Sequence, residues 1–171
     1  MTLPLVATSD KALVLFPGWS APEPETDYIW CDAPVEIGGV VEAGLTLHVG
    51  CYISIPDQHV VFELRGNIPG IKRKKALMRI EWRSLRGGHT NRRRKGAPES
   101  GKRVSDTHFH PFEANWVEIE QRMREGNLPQ AVEIEEELPT FESLREYVGN
   151  AFRINNITLV TRPPWVYDLF A

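Results

Sequence analysis

An α+β fold is predicted: an antiparallel β-sheet of five to seven strands with two C-terminal helices packed on one face. Three observations predict it. From residue 33 to 83, runs rich in Val, Ile, Thr, Tyr and Phe are separated by Gly38-Gly39, Gly44, Pro56-Asp57 and Pro69-Gly70, the punctuation of a strand meander. Helical spacing enters only after residue 115. The chain has 171 residues, 42% of them hydrophobic, with five Trp and seven Phe, enough for one core, so residues 1–171 are expected to form a single domain.

The first thirty residues hold Pro4, Pro17, Pro22, Pro24 and Gly18, which predicts a Pro-rich extended arm with at most a short strand at Ala12–Phe16, not a helix. Strands follow at Val35–Val41, Leu45–Ile55, His59–Arg65 and Lys75–Arg83, with connections short enough for antiparallel neighbours. In the last of these, Met78, Ile80 and Trp82 alternate with Leu77, Arg79, Glu81 and Arg83, so one face is apolar and the other largely charged. Residues 84–106 combine glycines with seven Lys/Arg and no apolar period, which predicts a mobile basic loop. A strand over Asp106–Phe112 precedes a helix capped by Asn115 and running from Trp116 to Glu125. Leu128–Ile134 reads as extended and Glu135–Glu137 as solvated surface. Phe141, Leu144, Tyr147 and Val148 then recur at helical spacing after Thr140, with Gly149-Asn150 as a stop. A strand over Ile154–Val160 and a Pro163-Pro164-Trp165 tail, apolar through Leu169-Phe170, complete the chain; the tail is expected either to fold back on the domain or to dock on a partner.

Charge is segregated. Residues 65–103 carry 14 Lys/Arg against Glu81 and Glu99, a net of +12 in a chain whose total is −3. Such a block attracts phosphates, nucleic acid or an acidic protein face. Its densest part is Arg92-Arg93-Arg94-Lys95, joined by Lys102 and Arg103, and these six are the candidate nucleic-acid contacts. Few aromatic residues interleave with them, which argues for sequence-tolerant backbone contact. The alternatives are an acidic protein partner or the chain's own acidic helices, or a solvated loop, and Lys72–Lys75 can be only a charged hairpin tip.

Three of the five histidines flank this block. In Thr107-His-Phe-His the two-residue strand period puts His108 and His110 on one face and Phe109 on the other. His89 lies at the opposite end of the loop and approaches them if the flanking strands are neighbours. Imidazoles serve as general acid and base on an RNA phosphodiester, with loop arginines stabilising the oxyanion and no cofactor required. Alternatively the three hold a divalent metal, with Asp106 or Glu81 as a carboxylate ligand. A His-x-His pair on a strand is also compatible with ordinary surface residues. His48 and His59 sit in apolar strands and are expected to be structural. Cys31 and Cys51 lack metal-ligand or redox spacing and are expected to be free core thiols. The absence of a long apolar run predicts no membrane span, and the opening Met1–Asp10, which has no charged leader, points to a cytoplasmic location.

The run Met78-Arg-Ile-Glu-Trp, then His89-Thr-Asn, Thr107-His-Phe-His-Pro-Phe, Ala131 and Phe141…Phe152-x-Ile-x-Asn-Ile resembles small proteins of bacterial mobile elements and phages, with a layout similar to TumE-type toxins of toxin–antitoxin pairs. The resemblance spans residues 77–157. It implies a toxin or host-conflict role, with an antitoxin-like partner. Three functions are therefore carried forward: a nucleic-acid-binding toxin that cleaves RNA, a non-enzymatic binder or inhibitor of a nucleoprotein complex, and a metal-dependent hydrolase.

Overall fold

The computed structural model describes residues 1–167, so the Leu169-Phe170 end of the expected tail lies outside the described residues. In chain order it contains α1 (Leu3–Thr8), β1 (Lys11–Leu13), β2 (Tyr28–Ile37), β3 (Val40–Tyr52), β4 (Val60–Gly66), β5 (Lys75–Trp82), β6 (His89–Thr90), β7 (Arg103–Val104), β8 (His108–His110), α2 (Phe112–Asn115), β9 (Trp116–Val117), β10 (Arg122–Met123), β11 (Val132–Glu133) and α3 (Phe141–Phe152). A 3₁₀ turn at Ile157–Leu159 follows. Seven strands form one antiparallel sheet in the order β1-β2-β3-β4-β5-β8-β11.

Alternation gives the sheet one apolar and one polar face. Ile29, Cys31, Val49, Phe62, Ile80 and Trp82 are buried on the apolar face. There α3 lays its Phe141, Leu144, Val148 and Phe152 stripe on the sheet, with Phe141 6.2 Å from Phe62 and Phe152 6.0 Å from Phe109 between ring centroids. Thr140 opens α3 with a capping box, its hydroxyl accepting from Ser143 N–H. The helix runs past Gly149-Asn150 and ends where Arg153 turns left-handed. Trp165 folds back and meets Phe141 edge-on at 5.8 Å. Cys31 and Cys51 are buried free thiols.

Several expectations are corrected. A short helix, α1, occupies the arm, because Pro4 falls in its first turn, where the missing N–H leaves no bond unmade. The expected strand across Gly38-Gly39 is instead a hairpin turn in which both glycines have positive φ, +60° and +78°, joining β2 to β3.

The second C-terminal helix, expected from Trp116 to Glu125, is replaced by the one-turn α2 and the β9–β10 hairpin. Asn115 cannot cap a helix there. Its amide nitrogen donates to the carbonyls of Pro111 and Gln130, and its Oδ1 accepts from Gln130 N–H.

Ile154–Val160 is likewise no strand. Asn156 uses its side-chain amide to bond both backbone groups of Leu13, at 2.7 and 2.9 Å, standing in for a strand partner beside β1. The 84–106 segment carries a ladder of its own, β6 against β7, below a turn that holds the arginine cluster.

Candidate metal centre and the polar face of the sheet

The open face of the sheet is organised in rows of cross-strand partners. One row runs Asp32, His48, Glu63, Arg79, His110 across β2, β3, β4, β5 and β8. The next runs Trp30, Gly50, Val61, Glu81, His108, Glu133 and ends on β11. Arg79 lies between Glu63, at 3.6 Å, and Glu81, at 3.2 Å, while Arg65 bonds Glu63 at 2.6 Å. Strand register alone therefore puts a carboxylate beside two imidazoles.

The three histidines meet. Ring centroids of His89 and His110, and of His108 and His110, are 4.9 Å apart, and those of His89 and His108 are 5.8 Å apart. β8 delivers His108 and His110 to the polar face, and the β6–β7 ladder folds His89 over them. His108 and His110 are fully buried and His89 is half-buried.

Their tautomers follow from their partners. His110 Nδ1 is 2.7 Å from the Leu128 carbonyl, and His108 Nδ1 is 2.8 Å from that of Ser105. A carbonyl only accepts, so both Nδ1 atoms carry the proton, and each neutral ring keeps a lone pair on Nε2. His89 bonds the Pro129 carbonyl through Nε2, at 3.2 Å, which leaves its lone pair on Nδ1. Burial holds His110 neutral, pulling its pKa down to about 2, with Arg79 and the other two imidazoles adding to the effect. His108 is lowered by burial as well, against the opposing pull of Glu81.

The segment Leu128–Ala131 explains one nitrogen of His110 and one of His89. Its four carbonyls accept in turn from His110, His89, Asn115 and Asn91. This clamp accounts for His110 Nδ1 and His89 Nε2 as structural donors, as the Ser105 carbonyl does for His108 Nδ1. It does not account for His110 Nε2, which is buried and has no hydrogen-bond partner. An orphaned lone pair in a dry site is costly unless something occupies it.

Glu81, His108 and His110 offer ligand atoms that all lie within 4.8 Å of one another. Two ligands on one zinc-sized ion stand about 3.3 Å apart, so small side-chain rotations close the set. Neutral imidazoles fixed through Nδ1–H to backbone carbonyls, beside a carboxylate held by an arginine, match the donor set and the outer hydrogen bonds of a divalent metal site. Asp106, the other carboxylate considered, is exposed; its Oδ1 accepts from Thr107, and it is not among the convergent atoms.

The predicted nucleic-acid contacts stand apart from this centre. Arg92, Arg93 and Lys95 are exposed in the turn beyond β6, Arg94 is half-exposed, and among the described residues none of the four has a carboxylate within ion-pair distance. Lys102 pairs with Glu99 at 2.9 Å, and Arg103 contacts Thr90 from β7. The cluster begins three residues after His89, at most about 10 Å along the chain at about 3.3 Å per residue. The cation that acts on His108 and His110 is Arg79, the cross-strand partner of His110.

An open groove of about 370 Å³ continues from Glu81 and Arg79 along the polar face to Tyr28, His48, Tyr52 and His59. His48 and His59, expected to be structural, each have one nitrogen engaged: His48 Nδ1 lies 2.8 Å from Asp32, and His59 Nδ1 accepts from Leu85 N–H. Both nonetheless line the groove. Asn91, Asn115 and the Leu128–Ala131 carbonyls carry no pattern that singles them out before the fold is known. Arg79 was visible only as one of many basic residues. No protein-family model, curated protein or solved structure matches this chain.

Proposed function

We propose that this protein is a divalent-metal-dependent hydrolase of phosphodiesters, with RNA as substrate. Glu81, His108 and His110 hold the ion. The observation that carries the proposal is the convergence of one ligand atom each from Glu81, His108 and His110 within 4.8 Å, with the buried His110 Nε2 lacking a hydrogen-bond partner. An ion held there would bring the pKa of a bound water towards neutrality, and His89, the one half-exposed ring of the three, would take that proton on Nδ1. The water oxygen would bond to phosphorus as the P–O ester bond breaks, and His89 would return the proton to the leaving alkoxide. The arginine turn recruits the polyanion.

Metal-free acid–base cleavage by the same histidines is less well supported, because a ring held neutral by burial has no second proton to deliver at neutral pH. A non-enzymatic binding role is favoured by one observation, the display of the arginine cluster away from the centre. The toxin or host-conflict setting, with an antitoxin-like partner, rests on the resemblance in residue layout.

The test is metal uptake and cleavage together. Protein stripped of metal and titrated with Zn²⁺ or Mn²⁺ should bind one ion per chain and gain RNA cleavage that a chelator abolishes. His110→Ala and Glu81→Gln should each weaken ion binding by about 10- to 100-fold or more. Undiminished cleavage in chelator, or no uptake of either ion, overturns the proposal.

A further inference from the structure

The groove beside Glu81 is lined by both aromatic rings and guanidinium groups. Tyr28 and Tyr52 meet edge-to-face at 5.3 Å, and Tyr52 and His59 stack at 5.4 Å and 27°. Gly50 makes this possible, since a Cβ there would lie 1.9 Å from the Tyr28 hydroxyl oxygen, so only glycine lets that ring lie on the sheet. Arg86, with no carboxylate partner among the described residues, lines the groove beside His59 together with Arg79 and Glu81.

The hydrogen-bonding character of the walls is determinate. Because His59 Nδ1 accepts from Leu85 N–H, its Nε2 carries a proton and is a donor. His48 donates Nδ1–H to Asp32, so its Nε2 is an acceptor. The carboxylates of Glu63 and Glu81 are already matched by Arg65 and Arg79. What remains is an aromatic surface, phenol and imidazole donors, one acceptor and an uncommitted guanidinium.

From these features we infer that the groove holds one unpaired nucleotide of a single-stranded nucleic acid, its base on the Tyr52–His59 stack and its phosphate between Arg86 and the Glu81 centre. The inference rests on the phosphodiester reading above and gives it a substrate form. About 370 Å³ falls within the range of small-molecule sites. His59 lies one strand spacing and two residues from Glu81, about 8 Å, which spans the distance from a base to its phosphate. A stacking platform takes a base only when it is out of a duplex, so single strands are selected over double strands.

Titration of metal-stripped protein with adenosine and uridine 5′-monophosphates, followed by calorimetry, tests this apart from catalysis. Saturable binding is expected. Tyr52→Ala should weaken it by about 5- to 100-fold, the usual range for losing one stacking ring. Tyr52→Phe, which keeps the ring, should retain it and so separates stacking from misfolding. Arg86→Ala should weaken the monophosphates without affecting the nucleosides. All three variants should take up Zn²⁺ as the wild type does. Failure of both nucleotides to bind, or equal binding by wild type and a folded Tyr52→Ala, overturns the groove assignment whether or not metal is bound. Nucleotide binding without any metal uptake supports the groove and overturns the hydrolase.

Discussion

Asn91 and Ala131 exchange a complete pair of hydrogen bonds, the Asn91 amide donating to the Ala131 carbonyl and its Oδ1 accepting from Ala131 N–H, both at 2.7 Å. Neither residue is open to water. This bond pair fastens the β6–β7 hairpin to the segment whose carbonyls orient His89 and His110.

Replacing Asn91 by Ala strands two buried backbone groups and should cost about 3 kcal/mol. Equilibrium urea unfolding measures that loss, and trypsin should cut earlier at Arg92–Lys95. Asn91→Asp should also destabilise, because a carboxylate cannot donate to the Ala131 carbonyl.

The buried imidazoles set a pH dependence. The folded pKa values of His108 and His110 lie below the unfolded value, so unfolded chains bind the extra protons. Stability of the metal-free protein should be level above about pH 7 and fall as pH drops through the unfolded histidine pKa of about 6.5, by up to about 1.4 kcal/mol per pH unit for each ring. The fall for His110 should continue down towards its folded value of about 2. Thermal melts of wild type and His110→Asn over this range check it. A variant whose curve is as steep as the wild type's contradicts the burial of that ring as a neutral base.

The arginine turn should act on binding and not on folding. Changing Arg92, Arg93, Arg94 and Lys95 to Ala removes side chains that are exposed or half-exposed and, among the described residues, unpaired. The melting temperature should hold within about 1 kcal/mol equivalent. RNA affinity should fall, and its log–log salt slope, expected on the order of −3 to −5, should flatten. An unchanged slope would point instead to an acidic protein as the partner of this turn.

Gly50→Ala should be destabilising by about 1–3 kcal/mol although Ala has the better strand fit, because the added methyl evicts the Tyr28 ring. A Tyr28→Ala background should relieve that cost. A double-mutant cycle measures the coupling.

Much of the sheet was legible because alternation is local: Met78, Ile80 and Trp82 against Arg79 and Glu81 announce both faces of β5. The same rule put His108 and His110 together. The helix expected after Asn115 failed for a non-local reason, since Asn115 spends its amide on Gln130 fifteen residues away. Asn156 likewise replaces an expected strand with side-chain bonds to Leu13. Within the candidate site, the choice of Glu81 over Asp106 depends on strand register between β5 and β8, which no spacing encodes. The groove was hidden for a related reason: Tyr28, His48 and Glu63 are far apart in the chain and become neighbours only across three strands.

The clamp on Leu128–Ala131 also separates two levels of stability. The ladders β2 to β5 are long, and their amide hydrogens should exchange with solvent only when the whole domain unfolds. The β6–β7 ladder has two residue pairs and little buried apolar surface, so its amides should exchange through a much cheaper local opening. His89 leaves with that opening, while Glu81, His108 and His110 stay behind on the sheet. The fold can thus persist while the centre is uncovered, and the hairpin sets how often solvent or substrate reaches it.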